Sequence, residues 1–349
     1  MAEAPQLSAV VATLGLADVE RTVAGLLAAA GAGGISIEVI VVWQADSPPP
    51  SLGPARVLDV YPAGLSYARN RGLALASAPL VGFVDDDEVV DPGWAAGLVD
   101  GFSTNPDAAA VFGAVAALDE EGLPYCVVEG TELRVFRRPT TPPWVVGTGG
   151  NMAFRRDRLQ EISGFTVELG AGAPGRSAEE SDVIVRLLRA GHPLVWTPDA
   201  VVYHPSKTPA EHLASREPYA YGTGALARRH RDLGLAARYG VAIAQSWRTG
   251  VLSRDRQRRR EAVRTAAGFT RGLASAGRPR SPEPRLGRMP AGMAAELAGM
   301  SLRPGPAVWA SQPRFRYRAA DLDLAVLPGA PDGTAGLVHR DARWILERR

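Results

Sequence analysis

Residues 80–87, LVGFVDDD, decide the fold of this chain. The run 80–84 predicts a short strand that is buried on both faces, and three carboxylates follow it directly. Side chains alternate along an extended chain, so Asp85 and Asp87 are expected on one side and Asp86 on the other. Two carboxylates on one side favour a hard divalent cation, Mg²⁺ or Mn²⁺, between them. A solvated acidic turn is the alternative interpretation.

The flanking sequence repeats a strand–helix pattern on both sides of this segment. Residues 7–14 and 37–43 are β-branched runs that predict strands, with a helix between them over 18–30. Such a βαβ unit predicts an α/β fold with helices flanking a mostly parallel sheet, which binds ligands at the carboxyl ends of its strands. Further predicted elements are helices over 65–76, 94–101 and 179–190, and extended segments over 109–118 and 194–203.

Three other segments carry polar side chains suited to a binding site. GTGGNMAFRRD at 147–157 combines glycines, which allow close backbone approach, with the amide of Asn151. AEESD at 178–182 places Glu179, Glu180 and Asp182 in the first turn of a helix. The helix dipole favours carboxylates there, but three exceed what capping needs. His204 follows a predicted strand, where it is either a structural residue or a metal ligand.

Net charge divides the chain into an acidic and a basic part. The total is only +2 over 349 residues, but residues 1–200 hold 13 arginines against 25 acidic residues, whereas residues 201–349 hold 26 basic against 12 acidic residues. A basic second half suggests an anionic partner. The hydrophobic content of 46% is that of a globular protein and excludes disordered, collagen-like and disulfide-scaffold classes.

The compartment that the sequence indicates is the cytoplasm. The one cysteine, Cys126, cannot form an internal disulfide and is interpreted as a buried strand residue. Residues 1–14 lack the charged and long apolar regions of a signal peptide. No apolar run is long enough to span a bilayer.

The character of the sequence changes after Pro205. We expect a first domain over 1–208 and a basic, mainly helical C-terminal region over 209–349. The predicted parts of this region are helices over 211–233, 235–267 and 342–348, a Pro/Arg-rich linker over 277–290 and an alternating segment over 315–327. The arginine-rich stretch 248–264 is interpreted, in order of preference, as a helical cover on the acidic domain, a contact with an anionic membrane, or a nucleic-acid site.

Taken together, the motifs resemble those of the family 2 glycosyltransferases. After the βαβ unit come LSYARNRGLALASAPLVGFVDDD at 65–87, GTGGNMAFRRDRL at 147–159, LGAGAPGRSAEESDVIVRLLRAGH at 169–192 and VVYHP at 201–205. The resemblance covers residues 7–208. It implies a GT-A fold and a metal-dependent enzyme of hexosyltransferase type, which moves a sugar from a nucleotide diphosphate to an acceptor hydroxyl with inversion.

The resemblance also implies roles for individual residues. Asp85 and Asp87 match the acidic motif that binds Mn²⁺ or Mg²⁺, and His204 matches the histidine that completes the metal's shell. The residues implied to contact the nucleotide sugar are Thr13, Asp46, Arg69, Asp85, Asp86, Gly150, Asn151 and Glu179.

A general base is implied at the predicted helix start. Inversion needs in-line attack by an acceptor hydroxyl whose proton goes to a base. Glu180 matches the second member of the family's acidic pair, and Asp182 is a rival base. The metal would neutralise the charge that develops on the leaving nucleoside diphosphate.

The implied partners are a nucleotide-diphosphate sugar and a hydroxyl-bearing acceptor, which can be a lipid-linked saccharide, a polysaccharide or a small molecule. Lipid-linked acceptors in the family keep peripheral membrane contact through the basic helices open. Alternatives are a retaining glycosyltransferase of the same fold and a non-catalytic module that binds sugar nucleotides or anionic surfaces. A nucleotidyltransferase is disfavoured because residues 12–21 lack a Gly-rich basic loop.

Overall fold

Strands and helices alternate through the first 275 residues. The computed structural model describes residues 4–60, 63–275, 315–318, 334–340 and 343–347. The strands of the main sheet are β1 (Leu7–Thr13), β2 (Ile37–Trp43), β3 (Arg56–Asp59), β4 (Leu80–Asp85), β5 (Val89–Val90), β6 (Ala110–Ala117), β7 (Arg134–Phe136), β8 (Asn151–Arg155) and β9 (Leu194–His204). The helices are α1 (Val19–Gly33), α2 (Leu65–Leu75), α3 (Trp94–Thr104), α4 (Arg156–Glu161), α5 (Glu179–Arg189), α6 (Pro209–His230), α7 (Leu233–Val251) and α8 (Arg256–Ala274), with a 3-10 turn at Pro143–Val145.

The main sheet is mixed. Its strand order is β3-β2-β1-β4-β8-β6-β9-β5, with β7 paired to the start of β9. β1 pairs in parallel with β2 and β4, and β6 pairs in parallel with β9. The predicted βαβ unit is therefore present as β1-α1-β2. Antiparallel pairing enters because β8 runs between β4 and β6 in the opposite direction.

One edge of this sheet collects the polar residues that the motifs single out. β1, β4, β6 and β9 all end at this edge, and β8 begins there. The register pairs Ala12 with Asp85, Val84 with Asn151 and Ala117 with His204. The expected ligand-binding edge of an open α/β sheet is therefore the edge where these side chains lie.

Helices cover the sheet on both faces because side chains alternate along each strand. On β1, Ala9 and Val11 belong to the apolar core that also contains residues of α1 and α3. Val10 points the other way, toward Gly72 of α2, where a Cβ would lie 2.3 Å from its Cγ1. Gly72 thus lets α2 approach the sheet closely.

The C-terminal helices pack on the sheet domain through α5. One apolar cluster joins Val185 of α5 with Leu226 of α6, Leu235 and Tyr239 of α7, and Phe269 of α8. Ion pairs between this helical layer and the first domain are Arg176–Glu217, Arg189–Asp232 and Arg229–Glu168. In two of these three pairs the arginine belongs to the first domain, so the C-terminal helices contact it through charges of both signs.

The helix predicted over 235–267 is wrong at residues 252–255, which separate α7 from α8. Asp255 starts the new helix because its carboxylate accepts a hydrogen bond from the backbone N–H of Gln257, at 2.8 Å. The two helices form a hairpin whose legs touch where Gly250 meets Ala262.

Contacts within the chain define two compact units, residues 1–45 with 49–278, and residues 46–48 with 279–349. In the second unit, the antiparallel strands β10 (Phe315–Arg318), β11 (Thr334–Arg340) and β12 (Arg343–Glu347) form a sheet of order β10-β11-β12. The helix predicted over 342–348 is therefore wrong, since the backbone of residues 343–347 pairs with β11. The linker 277–290 and residues 319–327 of the alternating segment lie outside the described residues.

Among the helices that the structure describes, none combines the length and hydropathy needed to cross a membrane.

Candidate functional site

The acidic run after β4 is a turn, not a continued strand. Strand β4 ends at Asp85, and the backbone N–H of Glu88 donates to the carbonyl oxygen of Asp85, at 3.4 Å. The expected alternation of Asp85, Asp86 and Asp87 is therefore wrong, because alternation holds only in an extended chain. Each of the three carboxylates instead faces a different element of the first unit.

Asp85 faces the buried guanidinium of Arg69 in α2. Arg69 donates to Asp85 Oδ1 at 2.9 Å, to Glu179 Oε1 at 2.8 Å and to the carbonyl oxygen of Gly149 at 2.9 Å. Burial alone would lower the pKa of Arg69, but the charges of Asp85 and Glu179 outweigh it and raise the pKa. Arg69 therefore neutralises two predicted site carboxylates and ties the acidic turn to the start of α5.

Asp86 faces the end of β1. The hydroxyl of Thr13 donates to Asp86 Oδ2 at 2.5 Å and accepts from the backbone N–H of Gly15 at 2.9 Å. Burial, and then the charges of Asp87 and Asp85, raise the pKa of Asp86 to about 6 against the opposing effect of the Thr13 hydrogen bond. The predicted residues Thr13 and Asp86 are thus brought into direct contact.

Asp87 faces His204 at the end of β9. Its Oδ2 lies 4.0 Å from His204 Nε2, which is too long for a hydrogen bond. His204 Nδ1 donates to the carbonyl oxygen of Pro205 at 2.7 Å, so Nε2 presents its lone pair toward Asp87. Neither atom is committed to the other, so both would be available to hold a divalent cation.

The donor types of this pair, carboxylate oxygen and imidazole nitrogen, suit a divalent ion such as Mn²⁺. In the part of the chain that the structure describes, His, Cys, Asp and Glu side chains nowhere gather in threes around a point that could hold a metal. Asp87 and His204 face each other as two side chains and do not belong to a larger cluster of such groups among the described residues. Mg²⁺-type sites commonly rely on few protein ligands together with substrate phosphates.

Glu88 is a buried carboxyl that the motifs did not single out. Its Oε2 accepts from the backbone N–H of Asp85 at 3.2 Å. A Cβ at position 150 would lie 2.2 Å from Oε1, so the glycine at 150 makes room for this carboxyl. Burial, and then the charge of Asp85, raise the pKa of Glu88 well above its ordinary value. The run of four carboxylates, 85–88, was the available sequence signal.

Asn151, predicted to contact the donor, is fully buried between strands. Its amide nitrogen donates to the carbonyl oxygens of Ala114 and Ala200 at 2.8 and 2.9 Å, and its Oδ1 accepts from Trp94 Nε1 at 2.9 Å. Both amide hydrogens are therefore used inside the chain, and Asn151 fastens β6, β9 and α3 together. This differs from the expected ligand contact, because the side chain points into the sheet.

Glu180 is held at the start of α5, one residue after the carboxylate that pairs with Arg69. The hydroxyl of Ser181 donates to Glu180 Oε1 at 2.9 Å. Burial, and then the charge of Glu179, raise the pKa of Glu180 to about 7. Glu180 nevertheless keeps some exposed surface, so it can exchange a proton near neutral pH, as a general base must.

Asp182, the rival base, is fully buried and fully engaged. It accepts from Thr166 Oγ1 at 2.7 Å, from Arg186 Nε at 2.8 Å and from His230 Nε2 at 2.8 Å. Burial alone would raise its pKa, but the His230 hydrogen bond and the Arg186 charge outweigh it and lower the pKa of Asp182. These contacts differ from those expected of a base, because no oxygen of Asp182 faces solvent.

The environments of Asp46 and Cys126 are as follows. Asp46 is exposed in the loop after β2, within the second compact unit. Cys126 lies outside the strands, and burial, followed by the charge of Asp85, raises the pKa of its thiol to about 12. The interpretation of Cys126 as a strand residue is therefore wrong, and its thiol is a poor nucleophile.

An aromatic pair next to α5 was not predicted. The ring of Trp144, in the 3-10 turn, contacts the ring of Tyr239 in α7 with centroids 4.5 Å apart. Trp144 precedes the predicted motif 147–157, but a single tryptophan in a Pro-rich loop carries no periodic signal. The 3-10 turn itself contacts α5, the helix whose first turn contains Glu180.

Part of the chain matches a known protein family. Residues 57–163 match the family model described as glycosyl transferase family 2. The matched segment contains Arg69, the acidic turn and β8. The resemblance of this chain to the family 2 glycosyltransferases is therefore confirmed.

Two curated relatives are named glycosyltransferases. The glucosyl-dolichyl phosphate glucuronosyltransferase of Haloferax volcanii is 30% identical over 159 residues, which are 40% of this chain and 47% of that protein. The pre-mycofactocin glycosyltransferase of Mycobacterium tuberculosis is 29% identical over 176 residues, 48% of this chain and 36% of that protein. This chain thus spans less than half the length of either relative.

Two solved structures share the fold. TarS residues 1–349 from S. aureus superimpose with a TM-score of 0.51 at 16% identity, covering 77% of this chain and 81% of that chain. The mannosyltransferase PcManGT from Pyrobaculum calidifontis, in complex with GDP-Man and Mn²⁺, has a TM-score of 0.51 at 18% identity, covering 79% and 77%. The fold is of the GT-A type with a helical C-terminal part, as predicted.

Proposed function

We propose that this chain is a divalent-metal-dependent glycosyltransferase that moves a sugar from a nucleotide diphosphate to an acceptor hydroxyl with inversion. One observation carries the proposal. Glu180, with a pKa of about 7, lies in the first turn of α5, and the neighbouring Glu179 is joined through Arg69 to Asp85 of the acidic turn. A base and an acidic, metal-suited turn are thereby held at one sheet edge.

The donor diphosphate would lie at the acidic turn. Asp87 and His204, with Nε2 and Oδ2 4.0 Å apart, would hold the metal, and Asp85 would approach it with the carboxylate oxygen that Arg69 does not engage. When bound, a divalent ion offsets the negative charge of the diphosphate as it leaves. Arg69 keeps Asp85 and Glu179 from repelling each other and so preserves the distance between the turn and the base.

The chemical step assigned to Glu180 is proton removal. The acceptor oxygen forms a bond to the anomeric carbon while its O–H proton passes to Glu180. The bond between that carbon and the phosphate oxygen breaks, and the nucleoside diphosphate leaves with the electron pair. Attack and departure on opposite faces invert the configuration. No observation favours a retaining reaction. The presence of both Asp87 and His204, facing each other at the acidic turn, argues against a purely non-catalytic module.

For the nucleoside, we retain Thr13 and Asp86 as proposed contacts, since they meet at the end of β1. Asn151 and Gly150 are assigned a supporting role, because one holds the strands and the other accommodates Glu88. Residues 1–208 are proposed as the catalytic domain and residues 209–349 as the accessory region.

The proposed acceptor is a saccharide, and a lipid-linked one is favoured. One relative is named for glucosyl-dolichyl phosphate, a lipid-linked sugar. At the junction of α7 and α8, Leu252 is 78% exposed and Trp247 46% exposed. The neighbouring sequence contains five exposed arginines, Arg248, Arg254, Arg256, Arg258 and Arg259. Apolar side chains among cations fit the surface of an anionic membrane, and we propose peripheral contact there.

A thermal-denaturation panel tests the donor. UDP-, GDP- and dTDP-sugars are added with Mn²⁺, with EDTA, and with Mn²⁺ to the Asp87→Ala variant. A matching donor stabilises the fold by mass action, by about 2.7 kcal/mol at a hundredfold excess over its Kd. We expect one nucleotide to raise the Tm of the wild type only with Mn²⁺ and to lose that effect in Asp87→Ala. Equal shifts with EDTA would contradict metal dependence, and no shift with any donor would contradict the function.

A further inference from the structure

The exposed indole of Trp144 stands on a rigid platform. Trp144 is 42% exposed, although it packs against Tyr239. Tyr239 is buried and also contacts the ring of Phe269, with centroids 6.3 Å apart. The flanking residues Pro143 and Val146 are buried, so the 3-10 turn that carries the indole is fixed on both sides.

Tyr239 connects this platform to Glu180. Burial, and then the charge of Glu180, raise the pKa of Tyr239 against the opposing effect of Ser181, so the tyrosine hydroxyl lies close to both residues. Ser181 in turn donates to Glu180 Oε1 at 2.9 Å. One hydroxyl group therefore separates the aromatic pair from the proposed base.

The loop after Trp144 makes a second, independent connection. Five residues on, the carbonyl oxygen of Gly149 accepts from Arg69 at 2.9 Å, and Arg69 donates to Glu179 at 2.8 Å. Between these points, the buried hydroxyl of Thr148 has no hydrogen-bond partner within the residues that the structure describes. An unpartnered buried polar atom needs an explanation, and a ligand hydroxyl supplies one.

We propose that Trp144, supported by Tyr239, is the stacking wall of an acceptor subsite that binds a pyranose ring. The inference rests on the proposed function, because it places the acceptor hydroxyl at Glu180. The C–H bonds on one face of a pyranose carry partial positive charge and suit the negative face of an indole. Because Tyr239 packs against Trp144 and lies next to Ser181 and Glu180, we place the wall on the acceptor side of the proposed base.

The test uses the full chain and methyl pyranosides as probes. Saturation-transfer NMR measures binding of methyl α- and β-glycosides of glucose, galactose, mannose and N-acetylglucosamine to wild type, Trp144→Ala and Trp144→Phe. We expect at least one glycoside to bind the wild type. Its binding should be about tenfold weaker in Trp144→Ala and largely restored in Trp144→Phe. The control is Leu133→Ala, which removes a side chain of the same 42% exposure just before β7, away from this edge.

Several outcomes would overturn the subsite. They are the absence of glycoside binding to the wild type, equal binding by Trp144→Ala, and binding of farnesyl phosphate in place of any pyranoside at Trp144. The Tm shift caused by nucleotide sugars is measured on the same variants. If that shift is intact in Trp144→Ala while glycoside binding is unchanged, only the subsite fails. If no nucleotide sugar shifts the wild type, the proposed function itself fails.

Discussion

At the scale of single residues, the carboxylates of α5 have opposite environments within one helical turn. Glu180 has one hydroxyl donor and the neighbouring charge of Glu179, whereas Asp182 has the cation of Arg186 and hydrogen-bond donors from Thr166 and His230. A carboxylate beside a cation and several donors holds its proton weakly and suits a structural role. A partly buried one beside another carboxylate holds its proton more tightly and suits proton transfer.

Replacing Asp182 should destabilise the fold. Asp182→Asn leaves Arg186 and His230 without their carboxylate, and breaking a buried charge pair costs about 3–5 kcal/mol. Because the pKa of Asp182 is lowered in the fold, this stabilisation is present above the unfolded pKa of about 3.9 and is lost as the pH falls through the lower folded value. Urea unfolding should show a difference in the free energy of unfolding between variant and wild type at pH 7, and this difference should narrow below pH 4. A difference that stays constant with pH would contradict the charge pair.

The rate of sugar transfer should rise with pH through about 7. The raised pKa of Glu180 means that its carboxyl is mostly protonated below that value, and only the ionised form accepts the acceptor's proton. The measurement is kcat at saturating donor and Mn²⁺ from pH 5.5 to pH 9. If kcat of Asp182→Asn, corrected for the fraction of folded protein, rises over the same pH range, Asp182 is excluded and Glu180 is the source of the rise. A flat profile would contradict the assignment of the base.

At the scale of elements, glycines set the distance between the C-terminal helices. A Cβ at Gly272 of α8 would lie 2.1 Å from the carbonyl oxygen of Tyr221 in α6, and one at Gly224 would meet the backbone of Phe269 at 2.3 Å. The helical layer that carries Tyr239 toward α5 therefore depends on close backbone contact, which larger side chains would prevent.

Two Gly→Ala changes should affect stability in opposite directions. Gly272→Ala introduces a methyl group into backbone and should lower the Tm, because overpacking costs about 1–3 kcal/mol. Gly240→Ala in α7 meets nothing within 4 Å and should raise stability by about 0.5–1 kcal/mol through helix propensity. Thermal denaturation of both variants checks this. A neutral Gly272→Ala would mean that α6 and α8 are less tightly packed.

Elements with strong periodicity were predictable, and those defined by distant partners were not. The βαβ unit and α5 follow from local patterns, since apolar spacing and helix starts are written in adjacent residues. The segment 147–157 was interpreted only as part of a binding site, and no strand was predicted in it. Met152 and Phe154 of β8 are nevertheless fully buried, in a sheet whose neighbouring strands lie more than 30 residues away in sequence. Likewise, the partners of Asp85, Asp86 and Asp87 come from α2, β1 and β9, which no local pattern reveals.

At the scale of the whole molecule, the near-neutral total of +2 conceals a basic helical hairpin beside an acidic sheet domain. Residues 248–264 hold seven arginines and two acidic residues. Some charges of the C-terminal helices are used against the sheet domain, as in Arg229–Glu168. The arginines around Leu252 and Trp247 are exposed and therefore available to an external anionic surface.

The hairpin tip should bind vesicles that contain anionic lipid. Co-sedimentation with phosphatidylcholine vesicles containing about one third phosphatidylglycerol should fall for Trp247→Ser and for paired Arg258→Gln/Arg259→Gln, and should weaken with salt because screening shortens the reach of exposed charges. Leu233→Ser is the matched control, since Leu233 is 86% exposed at the opposite end of α7. Binding that is equal on pure phosphatidylcholine, or lost equally in the control, would contradict membrane contact by the tip.

The central claim is that Glu180 is the base of a sugar transfer whose donor is held by the acidic turn. The most direct measurement compares transfer of the stabilising nucleotide sugar by wild type and Glu180→Gln at pH 8, with donor-induced Tm shifts recorded on both. The account predicts that Glu180→Gln lowers kcat by about 10²–10⁴-fold and retains the donor-induced Tm shift. It also predicts that the product of the wild type has the inverted anomeric configuration by NMR. Unchanged kcat in Glu180→Gln, or retention of configuration by the wild type, would contradict it.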